Sequence, residues 1–193
     1  FPGLEDLSLL EQSAWQCQQN PMVRDHLHFC RSIVNYDIAV PLTNTSGGLA
    51  AVVKAQEKAA VTMYYYHLAA MRIEALNHKN PEAEEDECIR AVATMVCNTY
   101  FPKAEAGCRS GQGTVFMRPC QNVCQRYVDA CGVQCCDEST RCVFDRRAPQ
   151  SLLEAGVSVQ SGYVDEMGPS RMCTGAAARG SLGPAALLAS LLA

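Results

Sequence analysis

Hydrophobic residues recur at helical spacing across residues 118–131. Pro119 suits a first helical position, where its missing N–H is not needed, and Gly132 suits the left-handed residue that follows a helix. At about 100° per residue the apolar positions share one face, so three sulfur atoms point towards neighbouring elements. We therefore predict an amphipathic helix to which the rest of the domain must pack. Its apolar positions are Cys120, Val123, Cys124, Tyr127, Val128 and Cys131.

The longest periodic stretch runs from Gly48 to Asn77, with a broad apolar stripe on one side and lysines and glutamates on the other. This pattern predicts a long helix. β-Branched and aromatic residues crowd together at 62–66, where we expect the helix to kink.

A further helix is predicted to begin at Asn80 and to run to about Tyr100. Asn80 is a preferred N-cap residue, Pro81 suits the first helical position, and the acidic residues that follow suit the positive end of the helix dipole. Cys88 and Cys97 are nine residues apart on this helix. At about 100° per residue their sulfur atoms leave opposite faces, so each must bond to a different neighbour.

The remaining segments have weaker patterns. Leucines at 4–10 together with Trp15 indicate a short helix, and near alternation at 30–41 indicates an extended segment. Pro41 restricts that segment to an edge strand or an extended arm. We therefore predict a mainly α fold: a disulfide-stapled helical bundle with at most a short β-hairpin or extended arm. Because the composition changes after Phe144, we assign residues 1–145 to the domain and 146–193 to an irregular tail.

The tail ends in an apolar run at 182–193, shorter than the roughly 20 residues that a helix needs to span a bilayer. It is similar to the end of a glycolipid-anchor signal, with small residues near 174–177. A truncated membrane helix and an amphipathic contact with a partner are the other two interpretations, and the three stay open. The first residues, without an initiator Met, are typical of a chain whose secretory leader has been removed.

Cysteine usage indicates the compartment. The chain has 12 cysteines among 193 residues, an even number, and no Cys-x2-Cys pair of the kind that structural zinc sites use. Disulfides are the better explanation, and they imply an oxidising environment such as the cell surface or the extracellular space. The net charge of −4 argues against a nucleic-acid partner.

We find no motif for catalysis. The chain lacks GxSxG, HExxH and glycine-rich phosphate-loop motifs, and its four histidines form no recognisable catalytic pattern. We therefore expect no enzyme activity, no cofactor and no metal site. Asn44 begins the sequon Asn44-Thr45-Ser46 and is a predicted glycosylation site.

One group of large side chains, named here the aromatic cluster, is the best candidate for a contact with a ligand or partner. Three consecutive tyrosines cover about 200° of a helix, so they cannot all be buried on one face, and at least one should be exposed or covered by a partner. The aromatic cluster comprises Met63, Tyr64, Tyr65, Tyr66 and Met71.

The cysteines and the residues beside them follow a recognisable order. That order is Cys17; Cys30 followed by Asn35-Tyr36 and Pro41; Cys88-x8-Cys97 followed by Tyr100-Phe101-Pro102 and Cys108; and Pro119-Cys120-x3-Cys124-x6-Cys131. It resembles the Frizzled-type cysteine-rich domain, a helical disulfide module, over residues 17–142. The sequence departs from the family at the adjacent Cys135-Cys136 pair and in the longer distance from Cys30 to Cys88.

The resemblance implies a set of disulfides. Carried over position by position, it gives Cys17–Cys108, Cys30–Cys97 and Cys88–Cys131. The last two bonds leave opposite faces of one helix, as the angular argument requires. For the other cysteines, where the sequence departs from the family, we expect Cys124–Cys136, Cys120–Cys142 and Cys135–Cys173.

The resemblance also implies a function: a non-catalytic recognition module outside the cell or at its surface. Its partner would be a protein or an acylated, lipid-modified ligand, and the tail would provide membrane attachment. Two alternatives remain, a structural subunit of an extracellular or lumenal assembly and a carrier of a small apolar ligand. A structural subunit would have large apolar patches, and a carrier would have a closed pocket lined by Met and Tyr.

Overall fold

The computed structural model of the protein describes residues 14–42, 48–133, 144–145, 163–164, 167–168 and 173–175. Its helices are α1 (Asn20–Arg24), α2 (Gly48–Ala70), α3 (Glu87–Tyr100) and α4 (Gln121–Cys131), with a 3-10 turn at Ala75–Asn77. Its strands are β1 (Trp15–Gln18), β2 (Ile38–Pro41), β3 (Lys103–Ala104), β4 (Phe116–Met117), β5 (Phe144–Asp145) and β6 (Tyr163–Val164).

The described chain is mostly helical and also contains a four-stranded antiparallel sheet in the order β1-β2-β3-β4. Four disulfides join cysteines of the described residues, so the helical, disulfide-stapled part of the predicted fold is confirmed. The expectation of at most a short β-hairpin is wrong. A separate pair of strands, β5 and β6, lies parallel.

Helix α3 is the centre of the core, because α2 and α4 both pack against it. Ile89, Val92 and Val96 are buried along it. Cys97 bonds to Cys30 and Cys88 bonds to Cys131, so the two sulfur atoms of α3 reach different neighbours, as the nine-residue spacing predicted.

The start of α3 differs from the prediction. Its N-cap is Asp86, whose Oδ1 accepts hydrogen bonds from the backbone nitrogens of Cys88 (2.8 Å) and Ile89 (3.3 Å). Asn80 instead forms a local turn, in which its Oδ1 accepts from the nitrogen of Glu82 at 3.3 Å. Asn and Asp are about equally good caps, so the local sequence did not decide between them.

Helix α2 ends at Ala70, before the predicted end, and it is continuous through 62–66. Arg72 adopts a left-handed conformation with φ 60°. The nitrogens of Arg72 and Ile73 donate to the carbonyls of Ala69 and Leu68, at 2.9 Å each. These two bonds form a Schellman motif, which most often has Gly at the position that Arg72 occupies here.

Helix α4 confirms most of the amphipathic helix that the sequence predicts within residues 118–131. Gly132 follows the helix in the left-handed region, at φ 62°. Cys120 is the N-cap, so the helix begins at Gln121, and Pro119 precedes it in an isolated bridge to Thr174.

Strand β1 corrects the prediction for the N-terminal segment. Trp15 lies in a strand and not in a helix, opposite Pro41, and Cys17 lies opposite Ala39. The other predicted helical positions, 4–10, lie outside the described residues. A second, smaller core beside the main one contains Trp15, Cys17, Ala39, Ala104, Cys108 and Phe116.

Strand β2 is an interior strand and not the predicted edge strand. It pairs with β1 along its length and with β3 at Ile38. Pro41 lies at the opposite end of β2, beyond the pairing with β3. A proline is tolerated there because that side requires no donor from it.

Residues well after 145 pack on the same folded unit. Thr174 donates its hydroxyl to the carbonyl of Met117 (2.6 Å) and accepts from the nitrogen of Lys103 (2.7 Å), which links β3 and β4 to this distant part of the chain. Cys173 bonds to Cys120. The contacts of this unit therefore extend beyond the predicted division at residue 145.

Candidate functional site

A cavity of about 680 Å³ lies between α3, α4 and three neighbouring segments of the described chain. A smaller cavity of about 390 Å³ continues it along α4 and shares three of its residues. We name the two together the α3–α4 groove. The larger cavity is lined by Ser32, Ile33, Asn35, Pro81, Glu82, Glu87, Arg90, Ala93, Thr94, Asn122, Val123, Arg126 and Gly168, and the smaller adds Gln125, Asp129 and Ala130.

The first wall of the groove is the outer face of α3. The cap at Asp86 fixes where the helix begins, which places Glu87, Arg90 and Thr94 on successive turns of one side. The opposite side of the same helix is the core. Thr94 donates its hydroxyl to the carbonyl of Arg90 at 2.8 Å, which satisfies that hydroxyl within the helix.

The second wall is the polar face of α4. Asn122 and Arg126 are one turn apart on it and line the groove, while Cys124 and Tyr127 are buried on the other side. The disulfide Cys88–Cys131 joins the start of α3 to the end of α4. The two helices are therefore antiparallel neighbours, and the walls they form are held at a fixed separation.

The third wall is the segment after Cys30. The buried carboxylate of Glu57 accepts hydrogen bonds from the nitrogens of His28 (2.8 Å) and Cys30 (3.1 Å), and Cys30 is bonded to Cys97. The Tyr36 hydroxyl lies 2.9 Å from the carbonyl oxygen of Phe101. Ser32, Ile33 and Asn35 are thus presented from a segment fixed at both ends.

The rest of the rim is formed by Pro81 and Glu82, which precede α3, and by Gly168, which comes from far along the chain. Gly168 is held by a hydrogen bond. Its nitrogen donates to Asn122 Oδ1 at 3.0 Å. A Cβ added at Gly168 would lie 2.9 Å from the sulfur of Cys120 and 3.1 Å from the Cα of Gly175. Because that space is taken, only glycine lets this segment approach the Cys120–Cys173 disulfide and α4 so closely.

The acidic and basic side chains of α3 that line the groove differ in their exposure to solvent. Glu87 is 71% exposed, whereas the side chain of Arg90 is 33% exposed and its Nε is buried without a hydrogen-bond partner. The nearest contact between them is 3.6 Å, from Arg90 Nη2 to Glu87 Oε1, which is long for a hydrogen bond. The groove therefore has exposed carboxylates together with a partly buried guanidinium, one nitrogen of which has no hydrogen-bond partner.

The groups that line the groove are guanidinium, carboxylate, amide and hydroxyl groups together with a few apolar side chains. Such a set can bind a ligand through hydrogen bonds and charge. Within the described ranges, no three His, Cys, Asp or Glu side chains lie together as a metal site would require.

The aromatic cluster lies on α2 and its C-terminal side, away from the groove. Tyr64 is fully buried and packs against Phe29 at 4.9 Å between ring centroids. Burial raises the pKa of Tyr64 above its ordinary value, and the protonated hydroxyl donates to the carbonyl of His78 at 2.7 Å. Met63, Tyr65 and Met71 are partly buried against the core, and Tyr66 is 65% exposed.

His67 is the buried histidine of α2. Burial lowers its pKa, and its Nδ1 lies 3.4 Å from the Tyr127 hydroxyl on α4. The two rings meet edge to face at 5.5 Å. This pair joins α2 to α4 inside the core and has no part in the groove.

Three expected disulfides are present: Cys17–Cys108, Cys30–Cys97 and Cys88–Cys131. The fourth corrects the expectation, because Cys120 bonds to Cys173 and not to Cys142, which also excludes the expected Cys135–Cys173 pair. The physical reason is the approach of Gly168 and Gly175, which brings Cys173 onto the start of α4. Cys124 is also disulfide-bonded, but its expected partner Cys136 lies outside the described residues, as do Cys135, Cys142 and the sequon at Asn44.

Comparisons with protein-family models, with curated proteins and with solved structures gave no match. The disulfides indicate an oxidising compartment. Among the helices of the described ranges, none combines the length and apolar character that crossing a membrane requires.

Proposed function

We propose that this protein is a non-catalytic recognition module, acting outside the cell or at its surface, that binds a segment of a partner protein in the α3–α4 groove. The observation that carries this proposal is the groove itself: about 680 Å³ of space lined by hydrogen-bonding side chains on braced elements. Binding sites favour such rigid supports, because little conformational freedom is lost when the ligand binds.

The lining favours a protein segment over an acyl chain or a small apolar molecule. A carrier would place Met and Tyr side chains around an enclosed pocket. In the described chain the central side chain of the aromatic cluster, Tyr64, is packed in the core, and no Met or Tyr lines the groove. A polypeptide offers both backbone and side-chain groups to the amides, hydroxyls and charges present there.

The alternative of a structural subunit receives no specific support. Large exposed apolar side chains such as Met22, Leu42, Tyr66 and Val115 come from separate segments of the described chain. Single exposed apolar residues are usual on protein surfaces.

The resemblance to a Frizzled-type cysteine-rich domain supports the same proposal. Three of the pairings that it implies are present, and two of them, Cys30–Cys97 and Cys88–Cys131, brace elements that line the groove. Membership of that family and attachment to a membrane through the 146–193 tail are part of the proposal.

A blocked groove tests the function. We would immobilise the disulfide-intact protein and select binders from a random peptide library, then compare two matched variants. Thr94→Trp fills the groove, whereas Thr62→Trp makes the same change on α2, where Thr62 makes an equivalent hydrogen bond to the carbonyl four residues earlier.

We expect the selected peptides to bind the wild type and Thr62→Trp equally and to bind Thr94→Trp at least tenfold more weakly. Far-UV circular dichroism and thiol counting would verify that both variants keep the fold and the disulfides. Failure to enrich any peptide, or equal binding by Thr94→Trp, would contradict the proposed function.

A further inference from the structure

We propose that the protein segment in the α3–α4 groove is anchored by an acidic side chain, whose carboxylate lies between the guanidinium groups of Arg90 and Arg126. This inference rests on the proposed function and names the chemistry of the segment that the groove accepts.

The first support is the state of Arg90. Its Nε is buried and has no hydrogen-bond partner in the described part of the chain, and its Nη2 has only a long contact with Glu87. A guanidinium offers five donors in a fixed plane that matches the two oxygens of a carboxylate. A buried donor without an acceptor is unfavourable. Because the Arg90 side chain is 33% exposed, its guanidinium can turn towards a carboxylate in the groove, and binding then gains the hydrogen bond that Nε lacks in the free protein.

The second support is Arg126, which enters the same cavity from the other helix. Its side chain is exposed, and no carboxylate of the described residues lies within ion-pair distance of it. Two cationic groups on helices joined by the Cys88–Cys131 bond thus border one space. An anionic group between them would form charge-assisted hydrogen bonds with both, which are stronger than bonds between neutral groups.

The carboxylates of the groove refine the prediction. Glu82 and Glu87 line the larger cavity and Asp129 lines the smaller one, and all three are exposed to solvent. Water and salt screen exposed charges strongly, so these three carboxylates oppose a buried anchor only weakly. They do repel a wholly acidic segment, and they favour one in which a basic residue lies beside the acidic anchor.

The test uses the peptides selected on the wild-type protein and compares four forms of the receptor. Arg90→Lys keeps the charge but removes Nε and the planar fork, and Arg126→Gln changes an exposed side chain that does not pack in the core. Arg109→Gln removes one positive charge from an exposed loop outside the groove and is the matched control. Each selected peptide is also made with its Asp or Glu replaced by Asn or Gln.

We expect an Asp or Glu to recur at one position of the selected peptides and its amide form to bind at least tenfold more weakly. The same loss should occur with Arg126→Gln and with Arg90→Lys, while Arg109→Gln binds as the wild type does. In NMR spectra of the labelled protein, the Arg90 Nε–Hε signal should shift with the acidic peptide and not with its amide form.

The outcomes separate this inference from the proposed function. Peptides that Thr94→Trp excludes, but that lack an acidic position or bind Arg90→Lys and Arg126→Gln normally, overturn the acidic anchor and leave the function standing. If no peptide depends on the groove, both are overturned. If Arg90→Lys fails to fold, Arg126→Gln and the amide peptides still decide the question.

Discussion

The aromatic cluster on α2 and the α3–α4 groove are opposite in composition and in exposure. The first is a set of large apolar side chains, and its central member Tyr64 is completely buried against Phe29. The second is lined largely by charged and amide side chains, and its Arg126 is exposed. Tyr64, a member of the cluster that the sequence marked as a candidate contact, stabilises the fold. The groove is lined by residues that belong to no recognisable sequence motif.

The difference follows from the cost of exposing apolar surface. A chain of this size buries the large side chains that it has, and the helices that do so leave their polar faces outward. Where two such polar faces meet beside a braced loop, they form a groove whose lining is mostly polar. Predictions that separate stability from binding therefore test this comparison directly.

The largest effect is expected for Tyr64→Ala. It removes a fully buried ring and a hydrogen bond to His78, and we expect the free energy of unfolding to fall by about 3 to 5 kcal/mol. Urea titration of the disulfide-intact protein measures it. Tyr66→Ala, two positions along the same helix, should change stability by less than about 0.5 kcal/mol because that side chain is exposed. A loss for Tyr64→Ala as small as that for Tyr66→Ala would place Tyr64 outside the core.

The next largest effect is expected for the double variant Cys120→Ser with Cys173→Ser. Removing this bond should cost about 2 to 4 kcal/mol and release the segment that carries Gly168. Hydrogen exchange should show the Gly168 amide losing protection while that of Cys97, in the core, keeps it. In Thr174→Val, which retains the disulfide, the Gly168 amide should stay protected. If it loses as much protection in Thr174→Val as in the double variant, the hydrogen bonds of Thr174, and not the disulfide, hold this segment in place.

A smaller effect is expected from pH. Burial lowers the pKa of His67 in the folded state, so below about pH 6.5 the unfolded chain binds the proton more readily than the folded protein does. Stability should therefore fall as the pH drops from about 7 to 5, by less than about 1.4 kcal/mol per pH unit from this group. His67→Gln should flatten that slope and His26→Gln, at an exposed position, should not. A slope unaffected by His67→Gln would show that another group dominates.

The smallest effect on stability is expected in the groove. Arg126→Gln changes an exposed side chain that does not pack in the core, and we expect the free energy of unfolding to change by less than about 0.5 kcal/mol. Thermal denaturation of the variant beside the wild type measures it. A loss as large as that of Tyr64→Ala would mean that the groove, like the aromatic cluster, is part of what holds the fold together.

Local sequence predicted the helices best where a helix signal is strong. The periodic cysteines and Gly132 identified α4, and the nine-residue spacing correctly separated Cys88 from Cys97. The start of α3 was misplaced because Asn80 and Asp86 are both good caps and only packing chooses between them. The end of α2 was missed because Arg72 occupies a position where glycine would have marked the stop.

Contacts between distant segments could not be predicted from such local patterns. Trp15 lies in a strand because it pairs with Pro41, and no local pattern contains that partner. The groove draws its lining from near residues 32, 90, 122 and 168, so no short stretch carries its signal.

The order in which the bonded cysteines occur has a consequence for biosynthesis. The bonded pairs overlap along the chain. Cys88 precedes Cys97 and Cys108 in the sequence, but its partner Cys131 follows both of them. The partner of Cys120, Cys173, comes later still. As the chain emerges from its N-terminus, Cys17 and Cys30 meet each other long before either native partner exists. Any bond formed between them at that stage is non-native, and thiol–disulfide exchange has to break it before the native pairs can form.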